Sequence, residues 1–178
     1  DEQLLQIFRD LETRIRVMAL VHHKLYQAED LSRINLKEYF HDLALLLYKN
    51  YKVDTEKIPI KPKLESVFVS IDTAILCGLL LNELLSNCLK HAFPEDKTGE
   101  IKLELRVIKT GEIELRVGDN GVGLPKRFSA KRGGLLGLQL VRSIEESQLK
   151  GAVTLNRELK QGTEWIIRFK EPEPKKKS

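Results

Sequence analysis

Cysteine is almost missing from this chain. Only Cys77 and Cys88 occur among 178 residues, both inside an apolar helical region, which suits small buried hydrophobes in a reducing compartment better than a disulfide or a metal site. No uninterrupted apolar run reaches the roughly 20 residues of a spanning helix, and no signal-peptide pattern opens the sequence, so the chain reads as cytoplasmic. A strong charge imbalance is absent as well. The formal net charge is +4, part of it in the tail Lys175-Lys176-Lys177, and this gives no case for a nucleic-acid or anionic-membrane partner. What is present is an ordinary globular balance of 42% hydrophobic and 31% charged residues, enough for one sizeable core and a helical appendage. Because the sequence begins inside a helical pattern, it reads as a piece of something longer.

One stretch organises the rest. Asn82-Glu83-Leu84-Leu85-Ser86-Asn87-Cys88-Leu89-Lys90-His91-Ala92 sets polar residues into a helix that is otherwise apolar. At about 100° per residue, Glu83, Asn87, Lys90 and His91 share one face. Buried charge is costly unless it is paired or faces a ligand, so the stripe reads as the wall of a site. An amide oxygen suits a hard cation and a lysine suits phosphate oxygens, a combination that fits a metal-bound phosphate. The blander alternative is a wetted helix edge with Glu83 and Lys90 as a weak ion pair.

Upstream, Leu4, Phe8, Leu11, Ile15, Met18, His22 and Leu25 step by alternating fours and threes, the a/d spacing of a bundle helix that wants a partner chain or neighbouring helix. That seam position should hide His22 and leave His23 more exposed. Asn35 is a suitable N-cap for a helix from Leu36 to about Tyr51. Pro59 and Pro62 mark an irregular linker, Leu64 to Ile71 reads as a strand, and Asp72 is placed to cap the long helix, which should end near Ala92-Phe93-Pro94. Glu100–Ile108 and Glu112–Val117 form a hairpin through Thr110-Gly111 with one buried face. Its second run feeds Asp119-Asn120-Gly121-Val122-Gly123, where two glycines beside an aspartate permit close backbone approach or simply make a good turn. Residues 125–132 read as a mobile flap. Gly137-Leu138 opens a helix to about Gln148 whose first amides are available to anionic oxygens, and Ala152–Arg157 with Thr163–Phe169 closes the chain as a second hairpin. Residues 171–178 should be disordered.

Four stretches in this order, Asn82–Ala92, Asp119–Gly123, Leu136-Gly137-Leu138 and Gly162-Thr163, resemble the nucleotide-binding boxes of sensor histidine kinases. The similarity covers Leu64 to Phe169 and extends to the ATPase superfamily of type II topoisomerases, mismatch-repair proteins and a heat-shock chaperone. Arg14–Tyr26 through Leu36–Tyr39 is similar to the second dimerisation helix and linker of the subtype neighbouring the HWE kinases. The tryptophan motif of true HWE kinases is not apparent in Arg116-Val117-Gly118-Asp119.

The resemblance implies an α+β fold, a two-layer α/β sandwich of the Bergerat ATP-binding type with a mixed sheet covered by helices on one face, preceded by an N-terminal helical segment. It divides the chain into a partial dimerisation segment (1–35), a helix and linker (36–63), the ATP-binding domain (64–170) and a tail (171–178). It also implies ATP and Mg²⁺ as cofactors. Asn87 would be the Mg²⁺ ligand, Lys90 and His91 would offset phosphate charge, and Asp119 would accept from the adenine amino group. Gly121 and Gly123 would let the backbone come close, Leu136, Gly137 and Leu138 would lie at the phosphate tail, and Thr163 would support the adenine end. Glu83 would orient the attacking group or act as base. The implied activity is transfer of the γ-phosphoryl group to a histidine on a dimerisation helix upstream of Asp1, for relay to the aspartate of a response-regulator receiver domain, in a homodimer held by the N-terminal segment. A hydrolytic ATPase of the same superfamily and a non-catalytic dimerisation or regulator-docking module are the competing readings. The flanks of His22-His23-Lys24 match the second helix, which argues against either histidine as the acceptor.

Overall fold

The computed structural model describes residues 2–27, 32–124, 149–156 and 158–172. A helix α1 (Glu2–Gln27) leads through a short strand β1 (Ile34–Asn35) into α2 (Leu36–Asn50). Strands β2 (Ile60–Leu64) and β3 (Phe68–Val69) precede the central helix α3 (Ile71–Asn87), which continues as one π-helical turn over Cys88–Ala92. Strands β4 (Ile101–Val107), β5 (Ile113–Asp119), β6 (Ala152–Leu155) and β7 (Thr163–Phe169) follow. Five strands form a mixed sheet in the order β2-β4-β5-β7-β6, with β2 parallel to β4 and the other pairings antiparallel. With helices against one face, this is the α+β sandwich expected from the sequence.

Alternation along the strands decides which face the helices cover. Ile101, Leu103 and Leu105 on β4, Ile113, Leu115 and Val117 on β5, and Ile167 and Phe169 on β7 are all buried, as a period of two requires when one face packs on a core. Asn35 caps α2 by accepting from the Lys37 N–H, and Leu36, Tyr39, Phe40, Leu43 and Leu47 recur at helical spacing as its buried stripe. Tyr39 joins three helices. Its ring occupies the space above Gly78, where an added Cβ would lie 1.9 Å from the phenol oxygen, and its hydroxyl donates to the Val17 carbonyl of α1 at 3.3 Å.

Several expectations need correction. The strand expected over 64–71 lies mostly earlier: β2 takes Ile60–Leu64, and only Phe68–Val69 pairs, with β1. Pro62, read as a linker residue, sits inside β2, which tolerates it because an edge strand has no partner on one side. Ser70, not Asp72, caps α3, its hydroxyl accepting from the Thr73 N–H at 3.3 Å. Glu171, assigned to the disordered tail, is held by the Ser70 N–H at 2.6 Å. The helix of 71–92 proves long and apolar enough by composition to cross a membrane, yet it is the core helix, with Ala74, Cys77, Leu81 and Leu85 buried against the sheet and α2. The burial of His22 differs from expectation within this single chain. His22 is exposed alongside His23, because α1 turns Val17 and Val21, not its heptad positions, toward the domain. The flap at 125–132, the helix at 137–148 and residues 173–178 lie outside the described residues.

The opposite face of the sheet carries a feature that alternation alone would call a wet surface. Glu114 points outward but is fully buried, accepting from Arg106 Nη2 at 2.7 Å, Arg116 Nε at 2.8 Å and Arg168 Nε at 2.7 Å. Register sets this up, since Glu114 stands opposite Arg106 on β4 and Arg168 on β7. Burial pushes its carboxyl up, but the hydrogen bonds from the three guanidiniums outweigh that and bring it down from 4.5 to about 2. A depressed folded-state value stabilises the fold above the unfolded value and loses that contribution as pH falls. Glu114→Gln should therefore cost about 2 kcal/mol at neutral pH and flatten the loss of stability between pH 4.5 and about 2. Thermal unfolding across that window checks it; an unaltered acid limb would remove Glu114 as its source.

Candidate functional site

Two ends meet to make the site: the last turn of α3 and the C-terminus of β5. Asp119 has the same parity as Ile113, Leu115 and Val117, so alternation carries its side chain toward the helices, not toward the open face. There it lies under the first π-turn residue. Its carboxylate accepts from the Gly121 N–H at 3.0 Å, from the Thr163 backbone N–H, and from the Cys88 thiol. Burial raises the Asp119 carboxyl above the usual range, although all three donors pull it down. The same burial, with the neighbouring carboxylate, drives the Cys88 thiol well up, so it stays protonated as a donor.

The glycines of this turn serve close packing. A Cβ on Gly121 would fall 2.1 Å from the Ala92 carbonyl oxygen, the atom that accepts from the Val122 N–H at 2.9 Å. What its missing side chain makes room for is the end of the helix. Gly123, at φ +76°, packs toward the Gly162 carbonyl, and a Cβ on Gly162 would fall 1.9 Å from the Asp119 carbonyl oxygen. Gln161, which stands where the histidine-kinase box often carries glycine, donates from Nε2 to the Asn120 carbonyl at 3.0 Å. The 119–123 turn is thus clasped between the helix end and the β6–β7 hairpin, and Thr163 is brought opposite Asp119 in register.

On α3, Glu83, Asn87 and Lys90 line one polar cleft of about 20 Å³ with Asn82, Ser86, Tyr51, Asp10 and Thr13. His91 is exposed and is not in that lining. A π-turn carries more residues per turn than an α-helix, so the 100° step that placed four residues on one face no longer holds past Cys88. Asn87 is at the surface and makes no hydrogen bond to another described side chain or backbone group. Glu83 and Lys90 are both paired with α1, to Arg14 and Asp10 at 3.0 Å each, a contact that the sequence did not announce. Leu136, Gly137 and Leu138 lie outside the described residues. Asn82 and Ser86, buried and one turn apart, were also missed; polar residues at i, i+4 on an apolar helix were the available signal.

Among the described residues no cluster of three or more His, Cys, Asp or Glu could hold a metal alone. The donor set fits a different arrangement. One free amide oxygen beside a carboxylate and a lysine suits Mg²⁺, which usually takes one or two protein oxygens and completes its shell with phosphates and water.

Comparison with known proteins gives the family of the chain. Residues 73–173 match the family model described as histidine kinase-, DNA gyrase B-, and HSP90-like ATPase, and residues 1–51 match a histidine kinase model. The chain is 28% identical over 156 residues to the sensor histidine kinase PdtaS of Mycobacterium tuberculosis, covering 87% of this chain and 30% of that protein. Blue-light-activated histidine kinase 2 of Erythrobacter litoralis is 32% identical over 87 residues, 49% of this chain and 25% of that one. The chain thus spans under a third of the length of these relatives. Among solved structures, the histidine kinase domain of the Erythrobacter litoralis EL346 blue-light-activated kinase superposes with a TM-score of 0.78 at 25% identity, over 90% of this chain and 74% of that one. The catalytic domain of histidine kinase ThkA, at 22% identity and a TM-score of 0.63, shares the fold over 80% of this chain and 98% of its own. With residues 73–173 on the one model and residues 1–51 on the other, the chain belongs to the histidine kinase-, DNA gyrase B- and HSP90-like ATPase family, on its sensor histidine kinase branch.

Proposed function

We propose that this chain binds ATP with Mg²⁺ and transfers the γ-phosphoryl group to a histidine of the dimerisation helices, for relay to a response-regulator aspartate. The observation that carries the reading is Asp119. A half-buried carboxylate fixed by two backbone N–H groups and a thiol is oriented to accept from one further donor, and adenine offers its amino group where guanine offers a carbonyl. Asn87, the residue just before Cys88, presents an exposed amide for Mg²⁺, and Lys90 supplies a cation for phosphate oxygens. A bound metal ion would neutralise phosphate charge. The chain's own part is positioning and charge complementarity, which is most of what phosphoryl transfer needs. Glu83 stands where it can orient the attacking imidazole once Arg14 leaves its Oε1. Gly121 and Gly123 shape the turn beneath the base, Thr163 supports the base end, and Leu136 to Leu138 supply the phosphate-tail segment.

The exposed stripe of α1 supports a homodimer. Leu4, Phe8, Leu11, Ile15 and Met18 lie at heptad positions and are 42–67% exposed, an apolar seam of the kind that a bundle partner covers. The acceptor histidine is placed on a helix N-terminal to Asp1, since His22 and His23 belong to the second helix by their flanks. The ATP-binding unit, expected over 64–170, begins earlier, at residue 60, because β2 is a strand of its sheet.

Calorimetry on Asn87→Ala tests the metal and phosphate half of the site. Mg²⁺-ATP affinity should fall about tenfold and lose its dependence on Mg²⁺, whereas adenosine binding should hardly change. Equal weakening of both ligands would mean that the helix has been disturbed instead. Phosphohistidine mapping after Mg²⁺-ATP treatment of a longer chain locates the acceptor, and stoichiometric phosphate at position 22 or 23 would overturn its assignment.

A further inference from the structure

Both charged residues of α3 that the proposed site needs are engaged by α1. Lys90 Nζ lies 3.0 Å from Asp10 Oδ1 and 5.7 Å from the centre of the Tyr51 ring. Glu83 Oε1 accepts from Arg14 through Nη2 at 3.0 Å and Nε at 3.2 Å. Asp10 and Arg14 are one turn apart on α1, so a single docking event makes both pairs.

The seam between the helices here is polar and incompletely satisfied. Asn82 is 4% exposed, lines the same cleft, and its Oδ1 has no hydrogen-bond partner among the described residues. An orphaned buried carbonyl is costly, and ion pairs that keep about a quarter of their side-chain surface in water repay little of that cost. Further along, α1 is anchored differently: Val17 and Val21 are fully buried, and the Tyr39 hydroxyl holds the Val17 carbonyl. The C-terminal half of α1 is therefore fixed by core packing, and its N-terminal half is held by exchangeable polar contacts.

We propose that Asp10 of α1 and the phosphates of the nucleotide compete for Lys90, so that ATP binding and docking of the N-terminal half of α1 onto α3 oppose one another. This rests on the ATP-binding reading above. Lys90 has donors enough for two oxygens, but a phosphate drawn to it meets the Asp10 carboxylate, 3.0 Å from Nζ, as a like charge at close range, and that repulsion sets the two partners against each other. Nucleotide arrival should release the polar seam while Val17 and Val21 keep the helix attached.

The test is calorimetry with Mg²⁺-ATP and with adenosine on the wild type, Asp10→Asn, Lys90→Met and the double variant, with thermal unfolding to confirm that each is folded. Asp10→Asn should tighten Mg²⁺-ATP by about three- to tenfold, leave adenosine unchanged, and lose its effect in the Lys90→Met background. Hydrogen exchange over residues 5–14 should speed up on addition of Mg²⁺-ATP. An Asp10→Asn protein that binds Mg²⁺-ATP no better than wild type, a gain that persists without Lys90, or slower exchange with nucleotide would each overturn the competition while leaving ATP binding intact. Absence of Mg²⁺-ATP binding in wild type and Asp10→Asn alike would overturn the ATP reading and the competition together.

Discussion

Asp119→Ala is expected to lower ATP affinity at least tenfold while the protein still folds. A hydrogen bond to a charged group contributes about 1.5–3 kcal/mol, and each 1.4 kcal/mol is a factor of ten in affinity. The fold should survive because the Asp119 side chain is only half-buried, so water can replace the carboxylate at the N–H donors of Gly121 and Thr163 left behind. Acidity supplies a second signature. Burial raises the Asp119 carboxyl above the ordinary 3.8, so the acceptor form should be lost on acidification at a pH above the usual carboxylate range. Adenosine binding should weaken over that interval in the wild type and not in Asp119→Asn. For stability the sign is the reverse of that for Glu114: a raised folded-state value means the contribution is fully present below the unfolded value and fades as pH rises through the folded one. Calorimetric adenosine affinity across acid pH checks the first point, thermal unfolding of wild type and Asp119→Asn over the same interval checks the second, and an unchanged ATP affinity in Asp119→Ala would take this residue out of the site.

Gly162→Ala should be the most damaging single methyl in the described structure. The backbone at Gly162 has φ +82°, where an L side chain is strained, and the added Cβ would lie 1.9 Å from the Asp119 carbonyl oxygen. Neither the strand end nor the hairpin turn can yield without breaking the Asp119–Thr163 register. Strain of about 1–3 kcal/mol from the conformation adds to a comparable overpacking cost, giving a destabilisation of about 3 kcal/mol. Because the displaced atom belongs to Asp119, ATP affinity should fall together with stability. Gly111→Ala is the contrast: it has a similar φ of +76° with nothing within 4 Å of the added Cβ, so it should cost only the conformational part and leave nucleotide binding alone. Chemical denaturation and ATP titration of the two variants separate the effects. Equal behaviour would mean that the clash at Asp119 is relieved at no cost.

What the sequence determined by itself is whatever local pattern and turn chemistry fix. The period-two runs of β4 and β5, the Asn35 cap, the buried stripe of α2 and the apolar central helix were all legible because each depends on neighbours within a turn or a hairpin. The candidate residues Asn87, Lys90, Glu83, Asp119 and Thr163 were legible because motif order carries them. Tertiary structure decided the rest. No local rule makes Ile60–Leu64 a strand, since its partner among the described residues, β4, begins 37 residues after Leu64 and pairs in parallel. Glu114 reads as a solvent residue until register brings Arg106 and Arg168 to its sides. His91 leaves the expected face because the α-helix gives way to a π-turn where Ala92 docks on Gly121. Asp10 and Arg14 enter the site for the same kind of reason: a helix face can be read from spacing, but which charged residues of a distant helix come to lie against it depends on the packing of Val17, Val21 and Tyr39, a contact between segments that only the folded chain brings together.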